Sequence, residues 1–351
     1  MNAIRSSIQK VAELQDLSEE KARKSMREIM SGKATPSQIG AFLTALRYKG
    51  ETVQEIASFA KVMRKFATQL NPDVEDIMVD TCGTGGDEIN TINISTGAMF
   101  VAAGAGVLIA KHGNRSVTSN SGSADVLEAL GANIDLPPKE VERIIEETGI
   151  GFMFAPNFHE AMKHAIGPRK EIGLRTVFNV LGPLTNPAGA RAQVMGVYDP
   201  ELTEKMASVL NKLGSKRAMV VHGLDGLDEI STFGKTRISK LENNTIETYT
   251  VEPEDYRISR SKPAEVAGTN AEGNAKALLR VLHGEKGPCR DIIQLNAAAA
   301  ISVGGEANNL EEGIEIAGNS IDSGSALEKL RELVESTNGE IEKLEEMEGN
   351  Y

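Results

Sequence analysis

Three glycines crowd into a turn that closes an apolar run, and this junction constrains the fold more than any other feature of the chain. Ile77, Met78 and Val79 lead into Asp80-Thr-Cys-Gly-Thr-Gly-Gly-Asp87, as a buried strand leads into a tight connection. Glycine tolerates positive φ and lets backbone N–H groups approach a ligand closely, which a phosphate cradle requires. It is not a dinucleotide loop, because Glu88 stands where a third glycine is needed, and no Gly-Lys-Ser/Thr follows to make a P-loop. Asn93-Ile-Ser-Thr96 comes next, where Ser95 or Thr96 can cap a helix and leave further amides and the helix dipole for an anion. Lys111-His-Gly-Asn-Arg115 ends the following strand-like run, with Ser116, Thr118 and Ser119 beyond it. His112 alone is equally explained by a core hydrogen bond; bracketed by Lys111, Asn114 and Arg115, it reads as lining a polar pocket. A polyanion bound with a metal ion needs such amides, cations and carboxylates together.

Asn71-Pro72-Asp73 breaks the chain and reads as a linker. After it, strands at 77–80, 107–110, 151–154, 193–197 and 218–221 alternate with helices at 95–105, 124–130, 140–147 and 201–213. This predicts an α/β fold with a mostly parallel central sheet flanked by helices. The small residues of Ala102-Ala-Gly-Ala-Gly predict a helix packed closely on that sheet. Residues 230–262, richer in Thr, Ile and Tyr, predict antiparallel strands, and the remainder is helical with an acidic last dozen residues that fray. The first seventy residues predict helices only, capped at Ser18, Thr35 and Thr52. Three short amphipathic helices cannot bury their stripes alone. Residues 1–70 therefore form a helical domain, completed by about 167–187 where the alternation is interrupted, beside an α/β domain of 71–166 and 188–351.

Several classes are excluded. A net charge of −12 with no basic block argues against a nucleic-acid surface, so any anion site is local. Two cysteines, Cys82 and Cys289, build neither a disulfide framework nor a four-cysteine zinc site. His159 and His164 fall at i and i+5, off a shared helical face, which rejects a zincin motif. No Gly-x-Ser-x-Gly elbow supports covalent catalysis. No apolar run approaches membrane-spanning length, and residues 1–14 lack a signal-peptide core, so a cytoplasmic protein with no membrane partner is expected. Asp228-Glu229 follows another strand end, in a loop with Gly223 and Gly226. In a solvated turn the pair is unremarkable; opposite a phosphate loop it suits Mg²⁺.

The ordered set of Asp80–Asp87, Asn93–Thr96, Lys111–Arg115, Ser121-Gly-Ser-Ala-Asp125, Arg169, Gly182-Pro-Leu-Thr-Asn-Pro187 and Asp225–Glu229 closely resembles the anthranilate phosphoribosyltransferase family over nearly the whole chain. The resemblance implies a nucleoside-phosphorylase type of fold and a homodimer through the helical domain. It also implies transfer of a phosphoribosyl group from 5-phosphoribosyl 1-pyrophosphate to anthranilate in tryptophan biosynthesis. By motif, Gly83, Gly86, Asp87, Thr91, Asn93, Ile94, Ser95, Thr96, the run Lys111, His112, Gly113, Asn114, Arg115, Ser116, Val117, Thr118 and Ser119, and Ser123 would hold the sugar pyrophosphate. Gly83, Asn114 and Arg169 would bind anthranilate, with His112 and Pro183 lining its path. Ser95 would ligate one Mg²⁺, and Asp228 and Glu229 a second. Glu160 and Thr118 depart from the family pattern, at positions that carry no chemistry in this reading. Two competing readings are a phosphorylase of the same fold, disfavoured by the Asp228-Glu229 pair, and a nucleic-acid-binding paralogue, disfavoured by the acidic charge and intact motifs.

Overall fold

The structure, a computed structural model, describes residues 2–86, 89–116 and 120–349. Four helices open the chain: α1 (Ala3–Ala12), α2 (Glu19–Met30), α3 (Pro36–Lys49) and α4 (Val53–Phe66). Ser18 accepts from the Lys21 amide, and Thr35 and Thr52 form capping boxes with Gln38 and Glu55. The sequence predicted three helices. The extra one, α1, is capped by Asn2 and buries only Ile4, Ser7 and Val11, a stripe too short to stand out in the sequence. Glu55 is fully buried, and its carboxylate accepts from the amides of Leu17 (2.9 Å) and Thr52 (2.8 Å) and pairs with Lys49 (2.9 Å).

Among the described residues seven strands follow: β1 (Val79–Gly83), β2 (Ile109–Gly113), β3 (Ile150–Phe154), β4 (Ala192–Gly196), β5 (Arg217–Gly223), β6 (Thr236–Glu242) and β7 (Thr245–Val251). Their order is β3-β2-β1-β4-β5-β6-β7, parallel from β3 to β5 and antiparallel from there to β7. Asn243 and Asn244, both at positive φ, make the β6–β7 turn. The chain runs outward from β1 to β3 on one side and returns as β4 on the other. The switch point therefore lies between β1 and β4, where open α/β sheets receive ligands.

Helix α5 (Ile94–Gly104) covers one face of the sheet. Its small residues serve neighbouring helices more than the sheet. A Cβ on Gly97 would meet Ile293 at 2.7 Å, and one on Gly104 would meet the Ser320 hydroxyl at 2.5 Å and the Ala326 amide at 2.6 Å. A second core joins α3 and α4, where Phe42 and Phe59 pack edge to face at 6.0 Å, to Val177, Leu181, Leu184, Met206 and Leu210. The helix Lys163–Ile172 lies against α2 and α3. Two backbone hydrogen bonds fasten the connection to β1: Thr68 N–H to Phe158 O (2.9 Å) and Leu70 N–H to Pro187 O (3.0 Å).

The acidic tail, expected to fray, instead forms the helix Ile341–Glu348. Leu344 is fully buried and Glu348 pairs with Arg331 at 2.9 Å, so one apolar anchor and one ion pair outweigh the surrounding charge. Among the described residues no helix is long and apolar enough to cross a membrane.

Candidate active site

Strands β1 and β4 end in register, with Gly83 opposite Gly196. A Cβ on Gly196 would fall 1.6 Å from the Asp228 carbonyl oxygen, and one on Gly83 would fall 2.7 Å from Asp228 Oδ2. Glycine at both strand ends thus lets the loop after β5 lie directly across them. The Gly85 amide donates to Asp228 Oδ2 at 3.0 Å. Burial pushes the Asp228 carboxyl above its ordinary pKa, and the Gly85 hydrogen bond works against that shift. Gly85 and Gly86 take φ of +62° and +87°, which side chains rarely adopt. Thr84 is fixed twice, by its amide on Gly196 O (2.9 Å) and by its hydroxyl on the Tyr198 amide (3.2 Å). Glu229 and Ser95 line one small cleft with Thr81, Cys82 and Asn296. The carboxylate pair is therefore at the glycine loop, where the sequence reading expected it.

At the start of α5 the capping expectation is corrected. The N-cap is Asn93, and no side chain caps the helix. Asn93 donates to Ser121 O (3.1 Å) and accepts from Asn274 (2.8 Å), while the Ser95 hydroxyl accepts from Lys111 Nζ at 3.3 Å. Thr96 Oγ1 is buried with no partner among the described residues. No side chain therefore competes with an anion for the first-turn amides. Ile94 faces the core. Thr91 bridges to Ala267, straightening the segment that leads into the helix.

Lys111 is 2% exposed and donates to Thr81 O as well as to Ser95, so its ammonium lies in the seam between β1 and α5. Burial lowers its pKa, opposed by the Asp80 carboxylate. Asp80 in turn is pushed up to about 6 by burial and accepts from the His112 amide at 3.1 Å.

Beyond β2 the loop doubles back on the helix Ser123–Ala129. Asp125 accepts from the amides of Ser116 (3.1 Å) and Gly122 (2.8 Å), and the Ser123 hydroxyl donates to Asn114 O at 3.4 Å. A Cβ on Gly113 would meet the Ser123 hydroxyl at 2.3 Å, so this glycine permits the close return. Arg115 is about half exposed on this loop. It pairs with Glu128 (2.8 Å) and Asp125 (3.1 Å) and stacks 5.4 Å over the Phe154 ring. Its charge is thus committed to acids on its own side of the loop. Asp87, Val117, Thr118 and Ser119 lie outside the described residues.

The Gly182–Pro187 stretch is a knot whose carbonyls are taken one after another. Those of Gly182 and Thr185 engage His112 and His159, that of Pro183 accepts from Gln193 (2.6 Å), and that of Leu184 accepts from Arg64 (2.7 Å). Asn186 donates to Ala110 O at 2.8 Å. The centres of the two histidine rings lie 4.9 Å apart at a tilt of 52°, and burial pushes their pKa values down to about 3 and about 4. Arg169 stacks 5.2 Å over Phe178 beside this knot. Sequence reasoning missed Gln193 and Arg64, because each acts through a backbone carbonyl and belongs to no motif, and it weighed His159 only as a zinc ligand.

Among the described residues no three His, Cys, Asp or Glu side chains converge as a self-sufficient metal cage. The hard oxygen donors Ser95, Asp228 and Glu229 suit a cation that completes its shell with ligand oxygens and water.

Comparison with known proteins follows the same division. The helical bundle domain of the glycosyl transferase family matches residues 5–67, and that family's a/b domain matches residues 75–327. The anthranilate phosphoribosyltransferase of Acetivibrio thermocellus is 57% identical over 338 residues, covering 96% of this chain and 98% of the relative. That of Methanocorpusculum labreanum is 56% identical, covering 93% and 96%. The Thermus thermophilus anthranilate phosphoribosyltransferase crystal structure superposes with a TM-score of 0.91 at 41% identity, covering 96% of this chain and all of that one. The Saccharomyces cerevisiae enzyme in complex with PRPP and Mg superposes with a TM-score of 0.87 at 31% identity, covering 95% and 98%.

Proposed function

The chain belongs to the anthranilate phosphoribosyltransferase family, and from that premise we propose how its site works. The reaction transfers the phosphoribosyl group of 5-phosphoribosyl 1-pyrophosphate to anthranilate, giving N-(5-phosphoribosyl)anthranilate and pyrophosphate in tryptophan biosynthesis.

The glycine loop, the first turn of α5 and the Lys111–Ser119 loop with Ser123 hold the sugar pyrophosphate. One observation carries this reading: the Gly85 amide already donates to a carboxyl oxygen, that of Asp228, at 3.0 Å. Gly83, Asn114 and Arg169 receive anthranilate beside the 182–187 knot. Ser95 holds one Mg²⁺, and Asp228 with Glu229 a second. A yeast relative solved with PRPP and Mg and another with 4-fluoroanthranilate support the ligand classes. Bound Mg²⁺ supplies neutralisation of charge on the departing pyrophosphate.

The protein's own part is positioning. An aniline-type amine is unprotonated at neutral pH, so no strong base is needed to make it a nucleophile. His112 and His159, held neutral by burial, shape the acceptor path without adding charge. Amides preset by the strand ends and by α5 meet the pyrophosphate with little reorganisation. Closure of residues 1–70 and 167–187 over the sheet excludes water and limits hydrolysis of the sugar pyrophosphate. The chain works in the cytoplasm as a homodimer through that helical portion; sedimentation as a single chain would overturn the dimer.

Loss of anthranilate fluorescence on mixing protein, Mg²⁺ and 5-phosphoribosyl 1-pyrophosphate tests the activity. No loss, paired with phosphorolysis of uridine or thymidine, would sink it.

A further inference from the structure

Two arginines sit on the segment that packs against α2 and α3, and only Arg169 has a part in the site so far. The helix Lys163–Ile172 ends at Gly173 in the left-handed region (φ +65°), and the chain turns so that Arg175 reaches the glycine loop. Arg175 Nη2 donates to the carbonyl oxygen of Gly86. Its guanidinium carbon lies 4.7 Å over the Tyr198 ring, and a Cβ on Gly86 would come within 3.0 Å of it. A planar cation is thereby wedged between an aromatic face and a loop carbonyl. It forms no ion pair among the described residues, whereas Arg115 is committed to Glu128 and Asp125 and Lys111 is buried against Thr81 and Ser95.

Gly85 and Gly86 have no side chains to restrict them, so partners alone fix which way their amides point. Three clamps do so: Gly196 and Tyr198 at Thr84, Asp228 at Gly85, and Arg175 at Gly86. An anionic ligand that takes the Gly85 amide competes with Asp228, which leaves the Thr84 and Gly86 clamps to hold the loop in the bound state.

We propose that Arg175 is a positioning residue for phosphoribosyl transfer, fixing the glycine loop through the Gly86 carbonyl and tying the donor site to the segment that carries Arg169. The inference rests on the site reading above and adds a residue to it. Tyr198 is the platform on which the guanidinium lies, and its backbone amide holds the same loop from the other end.

Arg175→Met keeps the length and apolar stem but removes the donor. The KM for 5-phosphoribosyl 1-pyrophosphate should rise on the order of tenfold, with kcat changing by a smaller factor. Arg175→Lys, which can still donate to Gly86 O, should recover most of the loss, and Tyr198→Ala should show a weaker version of it. A KM within about twofold of wild type in Arg175→Met, or an Arg175→Lys protein as impaired as Arg175→Met, overturns the proposal. The rise in melting temperature produced by 5-phosphoribosyl 1-pyrophosphate with Mg²⁺ reads the same clamp without turnover. It should be retained in Arg175→Lys and reduced in Arg175→Met; equal shifts in both overturn the proposal. Wild-type protein that is stabilised by this ligand yet transfers nothing to anthranilate would sink the functional reading and leave the clamp standing.

Discussion

The backbone amide of Gly85 donates to Oδ2 of Asp228 at 3.0 Å, joining residues 143 positions apart. The contact brings the loop after β5 onto the glycine loop, so in the proposed site Asp228 sits beside the pyrophosphate charge it would help neutralise through Mg²⁺. The contact exists because two adjacent strands end in glycine, leaving room for the Asp228 backbone above them.

Adding one methyl group there should be severe. In Gly196→Ala the new Cβ would meet a backbone oxygen at 1.6 Å, which no rotamer change relieves. We expect loss of turnover and about 1–3 kcal/mol of stability, measured by activity and melting temperature. Gly83→Ala meets the movable end of the Asp228 side chain at 2.7 Å, so stability should fall less while activity still suffers. An active Gly196→Ala protein would contradict this geometry.

The double change Asp228→Ala, Glu229→Ala removes the proposed carboxylate ligands. Mg²⁺-dependent turnover should fall by a factor on the order of 10² or more. An unchanged rate with an unchanged metal dependence refutes the assignment.

The stability contributed by His112 and His159 should decline as pH falls from 7 to 5. His112 and His159 sit at about 3 and about 4 in the folded chain, against 6.5 when unfolded, because burial disfavours their charged forms. Below pH 6.5 the unfolded chain binds protons that the native chain refuses, so unfolding gains. Asp80, raised by burial from 3.8 to about 6, acts oppositely: its native form takes up a proton first and gains stability as pH falls through 6. Asp228, Glu51 and Asp291, also raised by burial, act in the same direction as Asp80, so the histidine contribution is read by comparing variants. His159→Gln should lose less melting temperature than wild type between pH 7 and 5; equal losses contradict the burial of the pair.

Arg64 tests the knot at 182–187. Its Nε donates to Leu184 O at 2.7 Å in a largely enclosed position. Arg64→Met leaves that carbonyl without its donor, at a cost of about 1–3 kcal/mol in denaturant unfolding. A midpoint equal to wild type would mean the carbonyl finds another partner.

Reading these residues in order, one could foresee the alternating strands and helices, the capping boxes at Thr35 and Thr52, the glycine loop and the Asp228-Glu229 pair. Each depends on neighbours a few positions away: hydrophobic period, φ tolerance, a cap three residues from its amide. Other features needed the folded chain. Ser95 looked like a cap until Lys111 claimed its hydroxyl, and the pairing of Arg115 with Glu128 and Asp125 joins positions that no local pattern connects. The tail was too acidic to promise a helix before Arg331 and a buried slot for Leu344 were in place. Arg175 carried no motif at all. Local chemistry limits the backbone conformations open to each segment, whereas the partners of a long polar side chain depend on which distant segments the packed core brings within reach.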